Sequence, residues 1–573
     1  MIQRSTSLAR KASILLVAWC LALFPRAGGP AQVAGESKAL LAGLSLEKAL
    51  ALGETMFRKG MLPSGKPFKV ATPGGAAVPG TTFACAACHL RSGLGAMDEM
   101  PQAPPITGVK LFRPRHRFFP SLNPEERASM VPQRYQVPPL RPAYTEATLS
   151  AAIRGGIDPG GRALNPAMPR FSLIDRDMAI LIGYLKSLSA TYSPGVTAIT
   201  LAFATVISDE GPSEDRDEML AQLELRFQTH NHFQHNPTVQ MGRMLPMQEM
   251  ALGFRKWTLD RWILKGAPDS WPGQLEEHYR ANPVFALIGG ICPGGWEPVH
   301  RFCEANRIPC LFPLTDLPFL SADDYYTLYF SKGCFQEGAT VAEFLARSRP
   351  GAVVQLLAPG AEGAALARGF DEAWKTLGEP AARSVQLGPD TPLTPALLAD
   401  LCPPGRDTTL VLWTGAEAFP ALGALPGILP SAPRVFMSST RLGERLWDLP
   451  AAVRGFTYLT FPYRRPGARM VPRRMGQKPI LVDREYRKND HRIASRTSSM
   501  IELLADRMAQ LERDFYRDHL LDLFDAMAEQ YQTDYERLDF GPGKRYVSEG
   551  CYVMQLGPAP GNNLNPVNDW IMH

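Results

Sequence analysis

The five residues Cys85-Ala86-Ala87-Cys88-His89 decide the reading of the N-terminal part of the chain. Two thiols three positions apart can each form a thioether to one vinyl group of a haem, and the adjacent His is then placed as an axial ligand of the iron. A match this short arises by chance, so its surroundings carry the argument. Upstream, Leu46, Leu50, Gly53 and Phe57 recur at helical spacing. Ser45 stands at the N-cap and Glu47 in the first turn, where the helix dipole favours negative charge. Downstream, Ala103 to Gly108 reads APPITG, and the Pro104 carbonyl is placed to accept the ring N–H of His89 and fix its tautomer. Further on, Asn165 to Phe171 reads NPAMPRF and leads into a helical pattern from about Asp175 to Leu188. There Met178, Leu181, Ile182, Leu185 and Leu188 share one face, and Met168 is the candidate sixth ligand.

Taken together these stretches resemble the class I c-type cytochrome family over about Ser45 to Ser189. The resemblance implies an all-α cytochrome c domain with one covalently attached haem c. Cys85 and Cys88 would form the thioethers, His89 would be the proximal iron ligand and Met168 the distal one. It also implies a helix crossing at Gly53 and Phe57 against Tyr184 and Leu185. The loop between His89 and Met168 is longer than in the smallest members and leaves Met97, Met100 and Met130 as rival ligands. A thioether and an imidazole keep iron low-spin and six-coordinate, which suits electron transfer. Peroxide or oxygen chemistry would need Met168 absent or displaced.

The first 34 residues have a basic start (Arg4, Arg10, Lys11), an apolar run from Ala12 to Phe24 and small residues after it, the pattern of a cleaved secretory signal peptide. A retained anchor is the rival, but the run is shorter than the roughly 20 residues that span a bilayer. A lipoprotein signal at Cys20 is disfavoured by the bulky Trp19. Haem attachment to CxxCH takes place outside the cytoplasm, so a periplasmic or otherwise secreted chain satisfies both features. The 573 residues, 45% of them hydrophobic, provide for two to four domains, and the formal charge of +5 is dispersed, so nucleic acid is not implied. Six cysteines remain outside signal and CxxCH: Cys292, Cys303, Cys310, Cys334, Cys402 and Cys551. An oxidising compartment permits disulfides among them, and buried free thiols are an equal reading for Cys303 and Cys402.

After a short polar linker at 190–197 the texture changes. A near-continuous apolar run from Ile199 to Ile207 suits a strand covered on both faces, and a helix is expected over Glu214 to Phe233. Further strands are expected at Leu259–Leu264, Val284–Ile291, Cys310–Leu314, Tyr326–Phe330, Ala352–Leu357, Thr409–Trp413, Val435–Ser438 and Phe456–Phe461. Helices are expected over Trp271–Arg280, Pro298–Asn306, Phe335–Arg347 and Ala364–Leu377, then one long helical stretch from Ser495 to about Gln532 and a closing strand within Tyr546–Leu556. Alternation of this kind argues for parallel α/β layers.

The stretches PVFALIGG (Pro283 to Gly290), NRIPCLFPLTD (Asn306 to Asp316) and YFSKG (Tyr329 to Gly333) resemble the type I periplasmic solute-binding proteins, the branched-chain amino acid and amide receptor family. That resemblance spans 198–573 and implies a two-lobed α/β fold. It implies a hydroxyl grip on a ligand carboxylate, for which Thr315 is a candidate. The loop at Gly289 to Trp296 lacks the other hydroxyl, although glycine-rich amides can hold an anion. Trp296, Asp316, Trp413 and Thr414 complete the candidate cleft.

His230, His232 and His235 form the remaining candidate, a metal cluster or a solvated helix end. The expectation is therefore a multidomain electron-transfer protein without a catalytic site of its own. Redox donor and acceptor proteins are its partners, and the fused module binds a small ligand or docks one of them. The alternatives are a ligand receptor whose haem is a redox sensor, and an oxidoreductase whose haem accepts substrate electrons. No transmembrane segment is expected in the mature chain.

Overall fold

The computed structural model describes residues 40–72, 77–95, 103–116, 140–211, 213–233, 255–348, 350–464, 467–471, 480–484, 492–530, 535–559 and 563–572. The stretch read as a signal peptide (1–34), the methionines Met97, Met100 and Met130, and His235 lie outside these residues.

The N-terminal module contains helices α1 (Leu46–Lys59), α2 (Ala86–His89), α3 (Gly108–Leu111), α4 (Glu146–Gly155) and α5 (Asp175–Ser187). Strands β1 (Lys69–Ala71), β2 (Ala77–Pro79) and β3 (Arg170–Ser172) form an antiparallel sheet in the order β2-β1-β3. This sheet corrects the all-α expectation. Three-residue strands are too short to display an alternating pattern. Ser45 occupies the N-cap of α1 but makes no side-chain cap hydrogen bond. Helices α1 and α5 cross where the sequence placed small against aromatic, with the Phe57 and Tyr184 rings 5.5 Å apart. Met56, Phe57, Phe68, Phe171, Met178, Leu181 and Leu185 build the core around that crossing.

The second part is a two-lobed α/β unit. Its first lobe runs β4 (Thr200–Ser208), α6 (Ser213–Phe233), β5 (Lys256–Leu264), α7 (Trp271–Ala281), β6 (Ala286–Ile288), α8 (Glu297–Asn306), β7 (Cys310–Leu311) and β8 (Thr327–Leu328). All five strands are parallel, in the order β8-β7-β6-β4-β5. The second lobe runs α9 (Cys334–Ser348), β9 (Ala352–Leu357), α10 (Ala361–Thr376), β10 (Arg383–Gln386), α11 (Pro395–Asp400), β11 (Thr408–Trp413), α12 (Phe419–Ala424), β12 (Arg434–Ser438) and β13 (Thr457–Phe461). Its parallel strands lie in the order β10-β9-β11-β12-β13. Every residue of β11 is buried, as an apolar run covered by helices on both faces requires.

After an antiparallel hairpin, β14 (Gly467–Val471) with β15 (Ile480–Arg484), the chain returns to the first lobe through α13 (Arg492–Gln510) and α14 (Arg517–Asp525). Strand β16 (Gly550–Leu556) then joins the second lobe's sheet antiparallel to β13. One expectation is corrected here. The single long helix is two helices, broken at Leu511 to Tyr516, where Glu512 takes a φ of 49°. The linker packs on the second part of the chain: the Ser193 N–H donates to Phe515 O at 3.4 Å, the Ser193 hydroxyl accepts from Arg517 N at 3.0 Å, and Tyr192 packs on Phe515 and Tyr516. Among the described residues, no helix is long and apolar enough to cross a membrane.

A Cβ at Gly53 would meet Tyr184 Cβ at 2.5 Å and Ile180 O at 2.9 Å. Alanine gains about 1 kcal/mol of helix propensity over glycine, but forcing a methyl into a packed contact costs about 1–3 kcal/mol, and one neighbour here is backbone. Gly53→Ala is expected to lower stability by about 1 kcal/mol and Gly53→Leu by more, read as a fall in the urea midpoint of unfolding. An unchanged or raised midpoint would show that the two helices do not meet at this residue.

Candidate functional site

The CxxCH segment begins at Cys85 and forms the short helix α2, which brings His89 under cover while Cys88 stays exposed and Cys85 is half-buried. His89 is 8% exposed. Its Nδ1 lies 2.8 Å from Pro104 O. A carbonyl can only accept, so Nδ1 carries the proton and Nε2 is left with a free lone pair. Burial holds the imidazole below its ordinary pKa, against the opposing pull of the Pro104 hydrogen bond, so the ring is neutral as a metal ligand must be. Burial likewise pushes the Cys85 thiol up to about 12. Both cysteines are free thiols. Behind them the chain folds back on itself: Gly95 N–H donates to His89 O at 3.1 Å and Ile106 N–H to Gly93 O at 2.8 Å. Gly95, at φ 81°, lies against the Ala103 carbonyl, where a side chain has no room.

Met168 is half-buried on the same apolar core that Cys85, Ala86, Phe83, Ile106 and Leu164 partly cover. Its turn is built by Asn165, whose side-chain oxygen accepts from Ala167 N at 2.9 Å and whose carbonyl accepts from Met168 N at 3.0 Å. The Arg170 guanidinium donates to Met168 O. Cys85 and Met168 thus pack against one core, and the buried neutral imidazole of His89 and the exposed Cys88 thiol belong to the same segment as Cys85. That donor set fits a haem bound through thioethers with His and Met on the iron.

The loop that follows His89 is fastened to the other module. The main-chain N–H groups of Arg91 and Ser92 donate to the two carboxylate oxygens of Asp522, on α14, at 3.2 and 2.9 Å. The Tyr325 hydroxyl lies 3.4 Å from Asp522 and 3.3 Å from Asp525. Above it the Arg91 guanidinium stacks 3.5 Å from the Tyr325 ring centroid, a cation–π contact. Arg545 pairs with Asp525 at 3.0 Å. Alongside, Arg58 of α1 pairs with Asp518 and with Glu54, and Arg307 reaches Glu54 at 2.9 Å. Burial raises the Asp522 carboxyl to about 7, the donors from Ser92 and Arg91 pulling the other way.

Of the candidate cleft residues, the two tryptophans are buried in the cores of their lobes. Trp296 is 1% exposed in the core of the first lobe, against Gly290, and Trp413 is fully buried with its indole N–H donating to Gln355 at 2.7 Å. Both are removed as ligand contacts because their rings fill the core. Thr414 is buried at the end of β11. The Thr315 hydroxyl is taken up by Leu317 N at 3.1 Å, and Asp316 pairs with Arg496 of α13 at 3.2 Å. What the sequence reading missed is a cavity of about 890 Å³ at the C-terminal ends of β9, β11 and β12, lined by Glu362, Glu417, Phe419, Arg441, Arg445 and Asp448. Its sequence signal is positional: each follows the end of a parallel strand, where α/β sheets bind ligands. His230 stacks on Trp257 at 3.8 Å and is held down to about 4, chiefly by burial. Among the described residues no cluster of His, Cys, Asp or Glu is arranged to hold a metal ion; His235, the third member of the histidine candidate, lies outside them.

No protein-family model matches the sequence, and no curated protein matches it. Solved structures do align. One is a leucine-binding protein from Thermotoga maritima, at 11% identity and TM-score 0.45, covering 65% of this chain and 99% of that one. Another is a branched-chain amino acid ABC transporter from Thermus thermophilus with bound valine, at 14% identity and TM-score 0.44, covering 66% and 97%. A third is a solute-binding protein of an ABC transporter from Rhodopseudomonas palustris BisB5 in complex with 3,4-dihydroxybenzoic acid, at 13% identity and TM-score 0.45, covering 65% and 97%.

The raised Asp522 carboxyl has a consequence for stability. Its folded pKa, about 7, lies above its unfolded value of 3.8, so between those values the folded state holds a proton that the unfolded chain has lost. The contribution is complete below pH 4 and lost as pH rises through 7. The urea midpoint of the wild type is therefore expected to fall more between pH 5 and pH 8 than that of Asp522→Asn, which cannot ionise. Equal slopes would show that this carboxyl titrates as it does in water.

Proposed function

We propose that residues 45–189 are a class I c-type cytochrome module passing single electrons between redox partner proteins. In the same reading, residues 198–573 are a binding-protein-like module that takes a small ligand or docks a partner, and the chain works outside the cytoplasm. The observation that carries this reading is the His89 Nδ1 to Pro104 O contact of 2.8 Å in a segment with two free thiols.

Cys85 and Cys88 would hold the haem, and His89 Nε2 and Met168 would be its iron ligands. A haem so bound supplies a one-electron ferrous/ferric couple with no open coordination position, its potential raised by the thioether. Pro104 keeps the proton on Nδ1, which fixes the tautomer and the ring orientation. Asn165 and Arg170 fix the backbone of the Met168 turn, so the thioether is presented with little freedom to reorganise. Phe83, Ile106 and Leu164 add apolar surface that lowers the local dielectric. None of these groups needs to gain or lose a proton when an electron passes.

A second reading, a ligand receptor whose haem senses redox state, is favoured by one observation. The loop after His89 rests on the module that also carries the cavity beside Glu362 and Arg441.

The test is an absorption spectrum of protein matured with haem, oxidised and reduced, on the wild type, Met168→Ala and Cys85→Ala/Cys88→Ala. Expected are a weak near-infrared band of a sulfur-to-ferric bond in the wild type, its loss in Met168→Ala, and no covalent haem in the double variant. A wild type without that band would overturn His/Met ligation and favour sensing or peroxide chemistry.

A further inference from the structure

Resting on the cytochrome reading above, we infer that Asp522 is a positioning residue for the haem's proximal ligand, held out by the binding-like module to fix the loop on which His89 rides. The carboxylate is 2% exposed and stands 430 residues downstream of Ser92 in sequence. It takes both consecutive amides of that loop, one on each oxygen. Two parallel donors on two oxygens define an orientation as well as a distance, as in any bidentate carboxylate contact.

The loop they fix begins two residues after His89 and closes back on it, because Gly95 N–H donates to His89 O and Ile106 N–H to Gly93 O. Ile106 in turn is two residues from Pro104, the acceptor for the imidazole. A displacement of Arg91 and Ser92 therefore reaches both the backbone and the ring of the ligand through short covalent and hydrogen-bonded steps. The clamp is braced from outside: Arg91 is held over Tyr325, and the Ser189 hydroxyl, just after α5, donates to Ser92 O at 2.8 Å. Asp518, one turn away on α14, reaches the cytochrome-like module through Arg58 and accepts from the Tyr326 hydroxyl of its own module, but touches no residue of the loop in these contacts.

The experiment compares Asp522→Asn with Asp518→Asn in the full chain at about pH 9, where both carboxyls are ionised and each substitution removes one negative charge from α14. Expected for Asp522→Asn is hydrogen exchange in the 90–95 segment faster by about tenfold, the loss of one charge-assisted hydrogen bond, and a haem reduction potential displaced further from wild type than in Asp518→Asn. Equal displacements, or none, would overturn the positioning role and leave Asp522 a structural residue of the interface. Should Asp522→Asn fail to fold, the wild type decides. Protection of the 91 and 92 amides comparable with α5 supports the clamp, and exchange at the rate of an open loop overturns it. A preparation whose denatured pyridine spectrum lacks covalent haem sinks the cytochrome reading and the positioning role with it. The exchange comparison then still decides whether the carboxylate clamps the loop.

Discussion

A carboxylate taken out of water costs several kcal/mol unless other dipoles replace its hydration. Asp522 is in that position, and what replaces its water is the main chain of another module. This constraint organises the region around it. Neither partner is fully satisfied alone: without the loop the carboxylate keeps only the long 3.4 Å contact from the Tyr325 hydroxyl, and without the carboxylate two amides lose their acceptors. A contact in which both sides carry a desolvation cost is made fully or not at all, which favours one relative placement of the modules over a continuum.

The same helix shows how the chain gathers its charges. Asp518, Asp522 and Asp525 fall on one face of α14, with Asp514 just before it. They meet Arg58, the 91–92 amides, Arg545 and Lys110 in turn. Isolated surface pairs of this kind contribute little. Here several sit together, part-buried, with the linker packed on the neighbouring Phe515 and Tyr516, so removing one member leaves the others in low dielectric.

Much of the fold was legible because burial imposes a period. The bounds of α1 and α5 follow from apolar spacing, and β9 and β11 from runs covered on both faces. The break between α13 and α14 was not legible, because Leu511 and Phe515 continue the apolar period and no Gly or Pro marks the turn. At the site, local chemistry was readable and distant chemistry was not. His89 and Pro104 lie 15 residues apart and announce their relation, whereas an aspartate on an amphipathic helix looks solvated until its partner 430 residues away is known. Trp296 and Trp413 were misplaced because a loop or strand end in sequence says nothing of which way a large ring turns.

The distance between Ser92 and Asp522 also sets an order of events. Chains emerge N-terminus first, and domains fold as units while they emerge. The thiols of Cys85 and Cys88 therefore leave the ribosome long before α14 exists. For that interval the segment is unfastened on one side. The last-made quarter of the chain then closes over the loop, so a truncated product would retain Cys85, Cys88 and His89 yet lack the carboxylate that fastens the residues beside them.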